Sequence, residues 1–218
     1  MPHDDFALKD GDTVLFMGDS ITDAGRRDDK ARQFGWGYVA QIADLLAALH
    51  PERRIRILNH GISGDRVIEL HTRWETDVIA HQPDWVSISI GINDVWRRFA
   101  NLVEFAVDID EYSRLYGDLC EWTRTKTSAK LILMETSVIG EDFSNDSNRY
   151  LEQYNDAIHA FAKQYDAVLV PMRDAYRCGI ESRPGFAWTG DGVHPLPPGH
   201  MLMATTWLRA LGAFRTLE

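Results

Sequence analysis

Five short apolar runs recur along the chain, at residues 13–17, 55–59, 85–90, 130–134 and 167–170. Each is nearly continuous in apolar and β-branched residues instead of alternating with polar ones, the pattern of a strand covered on both faces. Between them lie longer stretches with apolar positions at helical spacing: 38–49 (YVAQIADLLAAL), 67–80, 109–125 and 150–163, with a last one at 199–211. Strands that alternate with helices are joined by crossovers, and a crossover places neighbouring strands parallel. The chain is therefore expected to be α/β, with a five-stranded parallel sheet carrying helices on both faces. At 218 residues and 44% hydrophobic it can bury a substantial core. No Pro/Gly/Ser-rich linker, repeat or low-complexity run divides it, so one domain over 1–218 is expected.

Charge narrows the partners. With 33 acidic and 23 basic side chains the formal charge is −10, which repels nucleic-acid phosphates and anionic membranes. The start MPHDDFALKDGD lacks the basic-then-apolar order of a signal peptide, and no apolar run approaches the ~18 residues of a membrane span. A soluble cytoplasmic protein is expected. Cys120 and Cys178 are far apart and in no metal-like spacing, and are read as reduced thiols.

In an open parallel sheet, ligands bind outside the carboxyl ends of the strands. Gly18-Asp19-Ser20 follows the first run, Asn59-His60-Gly61-Ile62-Ser63-Gly64-Asp65 the second, and Gly91-Ile92-Asn93-Asp94 the third; a late loop carries Asp191-Gly192-Val193-His194-Pro195. Singly, each has an ordinary explanation. Ser20 can cap a helix, Asp191 and Asn93 can form turns, and His194 can be a loop residue. Reactive polar groups gathered on one rim call for a common purpose.

GDSIT, NHGISGD, GINDVW and DGVHP, taken in order, resemble the SGNH hydrolase superfamily, also called GDSL esterases, with Ser20, Gly64, Asn93 and His194 at its four signature positions. Longer stretches such as RWETDVIAHQPDWVSISIGINDVWR and AWTGDGVHPLPPGHM are similar to the branch containing bacterial intracellular acetylxylan esterases. The resemblance implies a flavodoxin-like three-layer α/β/α sandwich and a serine that hydrolyses small esters, typically acetyl groups on sugars. It also implies a homo-oligomer.

Elementary chemistry assigns matching roles. A serine hydroxyl is a poor nucleophile and needs a positioned base, which the His194 imidazole supplies. Asp191, three residues earlier, is close enough to accept the Nδ1–H and leave Nε2 facing Ser20, giving a Ser20–His194–Asp191 triad. The developing oxyanion needs donors, assigned to the Ser20 N–H, the Gly64 N–H and the Asn93 side-chain amide. Glycine at 64 leaves room for the ester to approach the backbone, and Gly18 is expected to let the chain turn sharply. No metal or organic cofactor is required. His60 and His200 are the rival bases; His60 lacks an Asp three residues before it, and His200 lies near a helix start. Gly35-Trp36-Gly37-Tyr38-Val39-Ala40 fits G-x-G-x-x-A, but no strand precedes it, so a dinucleotide site is not expected.

Substrate contacts are less determined. Trp188 and Trp96 flank the proposed catalytic groups and either stack on a sugar or pack in the core. Arg97 and Asp65 either bond substrate hydroxyls or sit solvated. Asp19 is expected to brace the Ser20 turn and joins these four as a candidate substrate contact. The leading expectation is a serine esterase that deacetylates xylo-oligosaccharides. A lysophospholipase or thioesterase on the same machinery and a non-catalytic carbohydrate-binding module are the alternatives.

Overall fold

The structure is a computed structural model and describes residues 6–214. Five strands, β1 (Thr13–Gly18), β2 (Arg56–Gly61), β3 (Trp85–Ser89), β4 (Lys130–Met134) and β5 (Val168–Val170), form one sheet in the order β2-β1-β3-β4-β5. Every pairing is parallel. This is the flavodoxin-type order, in which chain progression reverses between β1 and β3 and opens a crevice at their carboxyl ends.

The helices among the described residues are α1 (Ser20–Asp23), α2 (Tyr38–Leu49), α3 (Val67–Asp77), α4 (Ile92–Phe99), α5 (Ile109–Lys126), α6 (Asp146–Gln164), α7 (Met172–Ser182) and α8 (Pro197–Ala210). Strand β1 shows how the layers form. Its residues Val14 to Met17 are fully buried, and successive side chains point to opposite faces. Phe16 meets Tyr38 of α2 and Trp207 of α8, whereas Met17 lies against Arg73 of α3 on the other side. Helices α2, α8 and α7 pack together, as do α3, α5 and α6.

All five expected strands form, β4 with the expected bounds and the others with ends within two residues of them. The expected helix from 150 begins earlier, at Asp146, because the Asn145 side chain accepts from the Asn148 N–H at 2.7 Å and caps it there. The helix expected to reach 80 stops at Asp77, and a 3-10 turn over Ile79–His81 follows. Three helices were not legible as periodic stretches. Helix α1 is a single turn, and α4 begins inside the polar GIND motif. Helix α7 has only three buried positions in eleven residues.

Trp207 joins the sheet to the α2/α8 layer. It is fully buried, lies tilted against Phe16 with ring centroids 5.3 Å apart, and donates its Nε1–H to Ser87 Oγ of β3 at 3.0 Å. Trp207→Ala is expected to destabilise the fold by about 3–5 kcal/mol, measured as a lowered midpoint of urea unfolding at unchanged slope.

Candidate active site

Strand β1 ends at Gly18 without adopting positive φ. The expectation that glycine eases a sharp turn here is corrected: a Cβ at this position would stand 2.2 Å from Thr22 Oγ1 and 2.6 Å from the Ser89 carbonyl. Crowding between β1, β3 and the first turn of α1 is what demands glycine. Asp19 then caps α1, its Oδ1 accepting from the Ile21 N–H at 2.9 Å. Asp19 is only 2% exposed, which suits the bracing role and leaves it little access to a substrate. Ser20 opens the helix, half-buried at the rim.

The partner groups arrive from the far end of the chain. A short hairpin, bridged antiparallel at Thr189 and Pro195, carries Asp191 to His194 at its tip. Gly192 there has φ +88°, a left-handed conformation that favours glycine. The hairpin is fastened from the β4–α6 loop by Glu141, a residue that sequence reasoning missed. Its Oε1 accepts from the Trp188 N–H, the Thr189 N–H and the Thr189 hydroxyl at 2.8, 2.7 and 2.8 Å. No local pattern links positions 141 and 189, so only the fold reveals the contact.

Ser20 Oγ lies 2.8 Å from His194 Nε2, and His194 Nδ1 lies 2.7 Å from Asp191 Oδ2. Asp191 Oδ1 accepts from the backbone N–H groups of His194 and Val193 at 2.8 and 3.0 Å. Burial would raise the Asp191 pKa, but the hydrogen bonds from His194 and Val193 outweigh it and hold the carboxyl at about 2. An ionised Asp191 selects the tautomer with the proton on Nδ1, leaving the Nε2 lone pair directed at the serine. The rival histidines stand elsewhere. His200 Nδ1 accepts from the Tyr38 N–H at 3.2 Å, and burial lowers its pKa to about 4. His60 lies 3.7 Å from Asp77 Oδ2 and edge-on to His81.

Gly64 sits in a turn closed by the Asp65 N–H on the Ile62 carbonyl at 3.2 Å. Its φ of +86° is the reason for glycine, since a Cβ would meet only Arg97 Nη2 at an ordinary 3.8 Å. Asn93, near the start of α4, is 7% exposed and spends one amide hydrogen on the Asp65 carbonyl at 3.0 Å. Its second amide hydrogen is left for another acceptor.

The candidate substrate contacts separate. Asp65 is buried and its carboxylate binds Arg73 Nε at 2.9 Å, while Arg97 Nη2 reaches the Gly64 carbonyl at 2.6 Å. Both are therefore engaged by the protein instead of being solvated. Trp188 packs its ring on Gly179 of α7 and edge-on to Phe186, a core-like placement. Trp96 is 38% exposed on α4. Arg73 also contacts Asp77 at 2.6 Å and the Gly18 carbonyl at 3.4 Å, so this guanidinium spans the end of β1 and the Gly64 loop. The sequence contains no motif that marks it.

Two buried carboxyls lie below the site. Desolvation raises both Asp19 and Asp94 to about 7. Asp94 Oδ1 accepts from the Val67 N–H at 3.0 Å, and its Oδ2 is buried without a partner among the described residues. An unfolded aspartate releases its proton near pH 4. Native Asp94 keeps it to about pH 7, so this contribution to stability is complete below pH 4 and is lost as pH rises through 7. Asp94→Asn retains an uncharged acceptor for Val67. The drop in urea midpoint from pH 5 to pH 8 should be smaller for that variant than for the parent, and equal drops would count against desolvation as the cause.

The chain is similar to known proteins over nearly its whole length. The GDSL-like Lipase/Acylhydrolase family matches residues 16–202, a span holding all the groups just described. An acetylxylan esterase from Geobacillus stearothermophilus is 39% identical over 208 residues, covering 93% of this chain and 94% of that one. A crystal structure of an acetylxylan esterase from the same organism superposes with a TM-score of 0.86 at 38% identity, covering 94% of this chain and 96% of the other. An alpha/beta hydrolase enzyme from the metagenome of Lake Arreo, Spain, gives 0.89 at 31% identity over 97% of this chain and 100% of its own. With a serine, an imidazole and a carboxylate in line on a flavodoxin-type sheet, and these likenesses over nearly its whole length, the chain belongs to the GDSL-like lipase/acylhydrolase family.

Proposed function

We propose that this protein is a serine esterase that removes acetyl groups from xylo-oligosaccharides through an acyl-enzyme. The observation that carries the reading is the continuous hydrogen-bond line from Ser20 Oγ to His194 Nε2 and from His194 Nδ1 to Asp191, at 2.8 and 2.7 Å. Ser20 attacks the acetyl carbonyl as His194 takes its proton, and the sugar hydroxyl leaves with that proton. Water then attacks the acyl-enzyme by the same route and releases acetate. The negative oxygen formed at each step is met by the Ser20 N–H, the Gly64 N–H and the free amide hydrogen of Asn93.

The acetylated sugar follows from the acetylxylan esterase relatives and from the openness of the site, where the Asp191 and His194 side chains are 58% and 53% exposed. Such a rim suits a hydrophilic alcohol that stays largely in water. One observation favours a second reading. Trp96, Phe99, Leu102, Val103 and Phe105 are all exposed on α4 and the turn after it, the helix that carries Asn93, and an apolar ridge there suits a longer acyl chain of a lysophospholipase or thioesterase substrate. The proposal also includes a cytoplasmic homo-oligomer. Free Cys120 and Cys178 suit a reducing compartment, and native mass measurement reads the subunit number.

Acetate release from acetylated xylobiose is expected for the parent and should fall by at least about 10³-fold in Ser20→Ala. Asp191→Asn should lower kcat by about 10⁴-fold by stabilising the wrong tautomer. Hydrolysis of p-nitrophenyl octanoate faster than the acetate, with no acetate freed from the sugar, would move the assignment to the long-acyl reading.

A further inference from the structure

The Gly64 donor must be both oriented and placed. In the turn Ile62-Ser63-Gly64-Asp65 the central peptide joins Ser63 to Gly64, and it carries the N–H assigned to the oxyanion. Type I and type II turns differ by a half-rotation of that central peptide, and glycine at the third position tolerates both. The observed φ of +86° is the type II value. The turn type sets which way the Gly64 N–H faces, and the contacts of the residues on either side set where it stands relative to Asn93.

The neighbours on either side are held. Ahead of the peptide, Asp23 Oδ2 accepts from the Ser63 hydroxyl at 2.8 Å and the Ser63 N–H at 3.3 Å. Behind it, Arg97 Nη2 donates to the Gly64 carbonyl at 2.6 Å, a charge-assisted contact. Arg97 stands four residues after Asn93 on α4, so both lie on one helix face. Asn93 meanwhile donates to the Asp65 carbonyl at 3.0 Å. One rigid helix thus presents the amide donor and grips two successive carbonyls of the loop that presents the backbone donor.

We propose that Arg97 is a positioning residue: by holding the Gly64 carbonyl it fixes where the Gly64 backbone stands against α4 and so keeps the Gly64 N–H in register with the Asn93 amide. The proposal rests on the esterase reading above and concerns the chemical step alone. It sets Arg97 apart from a sugar-binding role, because its effect is the same for an ester that carries no sugar.

The test uses the full chain with Arg97→Ala and Arg97→Lys, p-nitrophenyl acetate as substrate, and methylboronic acid as a tetrahedral adduct of Ser20. Arg97→Ala should lower kcat by about 10–100-fold, a fraction of what losing an oxyanion donor outright costs, with KM within about threefold. The boronate inhibition constant should weaken by the same factor as kcat falls. Arg97→Lys should lie between, keeping a donor but losing the planar fork, and added guanidinium should restore part of the Ala variant's rate. Parent-like kcat on p-nitrophenyl acetate in Arg97→Ala, with a raised KM only on acetylated xylobiose, would make Arg97 a sugar contact and overturn the proposal. A fall in kcat with boronate affinity unchanged would overturn it too. Should Arg97→Ala not fold, the same two ratios in Arg97→Lys decide. Ser20→Ala hydrolysing as fast as the parent would instead remove the esterase reading itself, and the clamp with it.

Discussion

Strand β1 has no free face and no free edge: helices pack against Phe16 and Met17 on its two sides, and β2 and β3 pair along its two edges. A strand confined in this way cannot slide, because a one-residue slip would exchange the residues matched to each layer. Ser20 inherits that rigidity two residues past the strand's last pair. Gly18 is paired to Gly61 on one edge and to Ser89 on the other, so the loops after β2 and β3, which bring Gly64 and Asn93, are measured from the same point. The ends of β1, β2 and β3, from which Ser20, Gly64 and Asn93 follow, are therefore placed relative to one another by the sheet.

The polar contacts then do what apolar packing cannot, which is to orient dipoles. Packing constrains volumes but is nearly indifferent to the direction of a peptide N–H. Around the rim, carbonyls and carboxylates are held by a chain of ionic and amide groups: Arg73 between the Gly18 carbonyl, Asp65 and Asp77; Asn93 on the Asp65 carbonyl; Arg97 on the Gly64 carbonyl. These groups are half-buried or buried, where charge-assisted hydrogen bonds are stronger than in water. Asp19 and Asp94 remain in the same region as carboxyls whose ionisation burial delays to about pH 7.

The base comes from a different kind of element. Asp191 and His194 sit on an exposed hairpin, fastened at its root by Glu141 and at its tip by the Gly140 N–H on the Gly192 carbonyl. Exposure matters here because His194 must exchange protons with an incoming water. The half-buried Ser20 at the end of β1 thus faces a solvated imidazole and carboxylate on a short, braced loop.

The sequence by itself determined the alternation of strands and helices, the parallel sheet, and the rim on which the polar residues gather, since these follow from hydrophobic periodicity and from the crossover that parallel strands require. The triad's members were legible for the same kind of reason: Asp191 and His194 are three residues apart in one turn, so local geometry bounds their contact. Only the tertiary structure decided what Arg73, Arg97, Asp65 and Glu141 touch. Apart from Asp77, four residues from Arg73 on the same helix, their partners lie 8 to 55 residues away along the chain, and a long charged side chain reaches any of several acceptors from a given backbone position. The same holds for Trp188, which flanks Asp191 in sequence yet turns its ring onto α7, because where an aromatic ring packs depends on the gap left between helices and not on its neighbours in the chain.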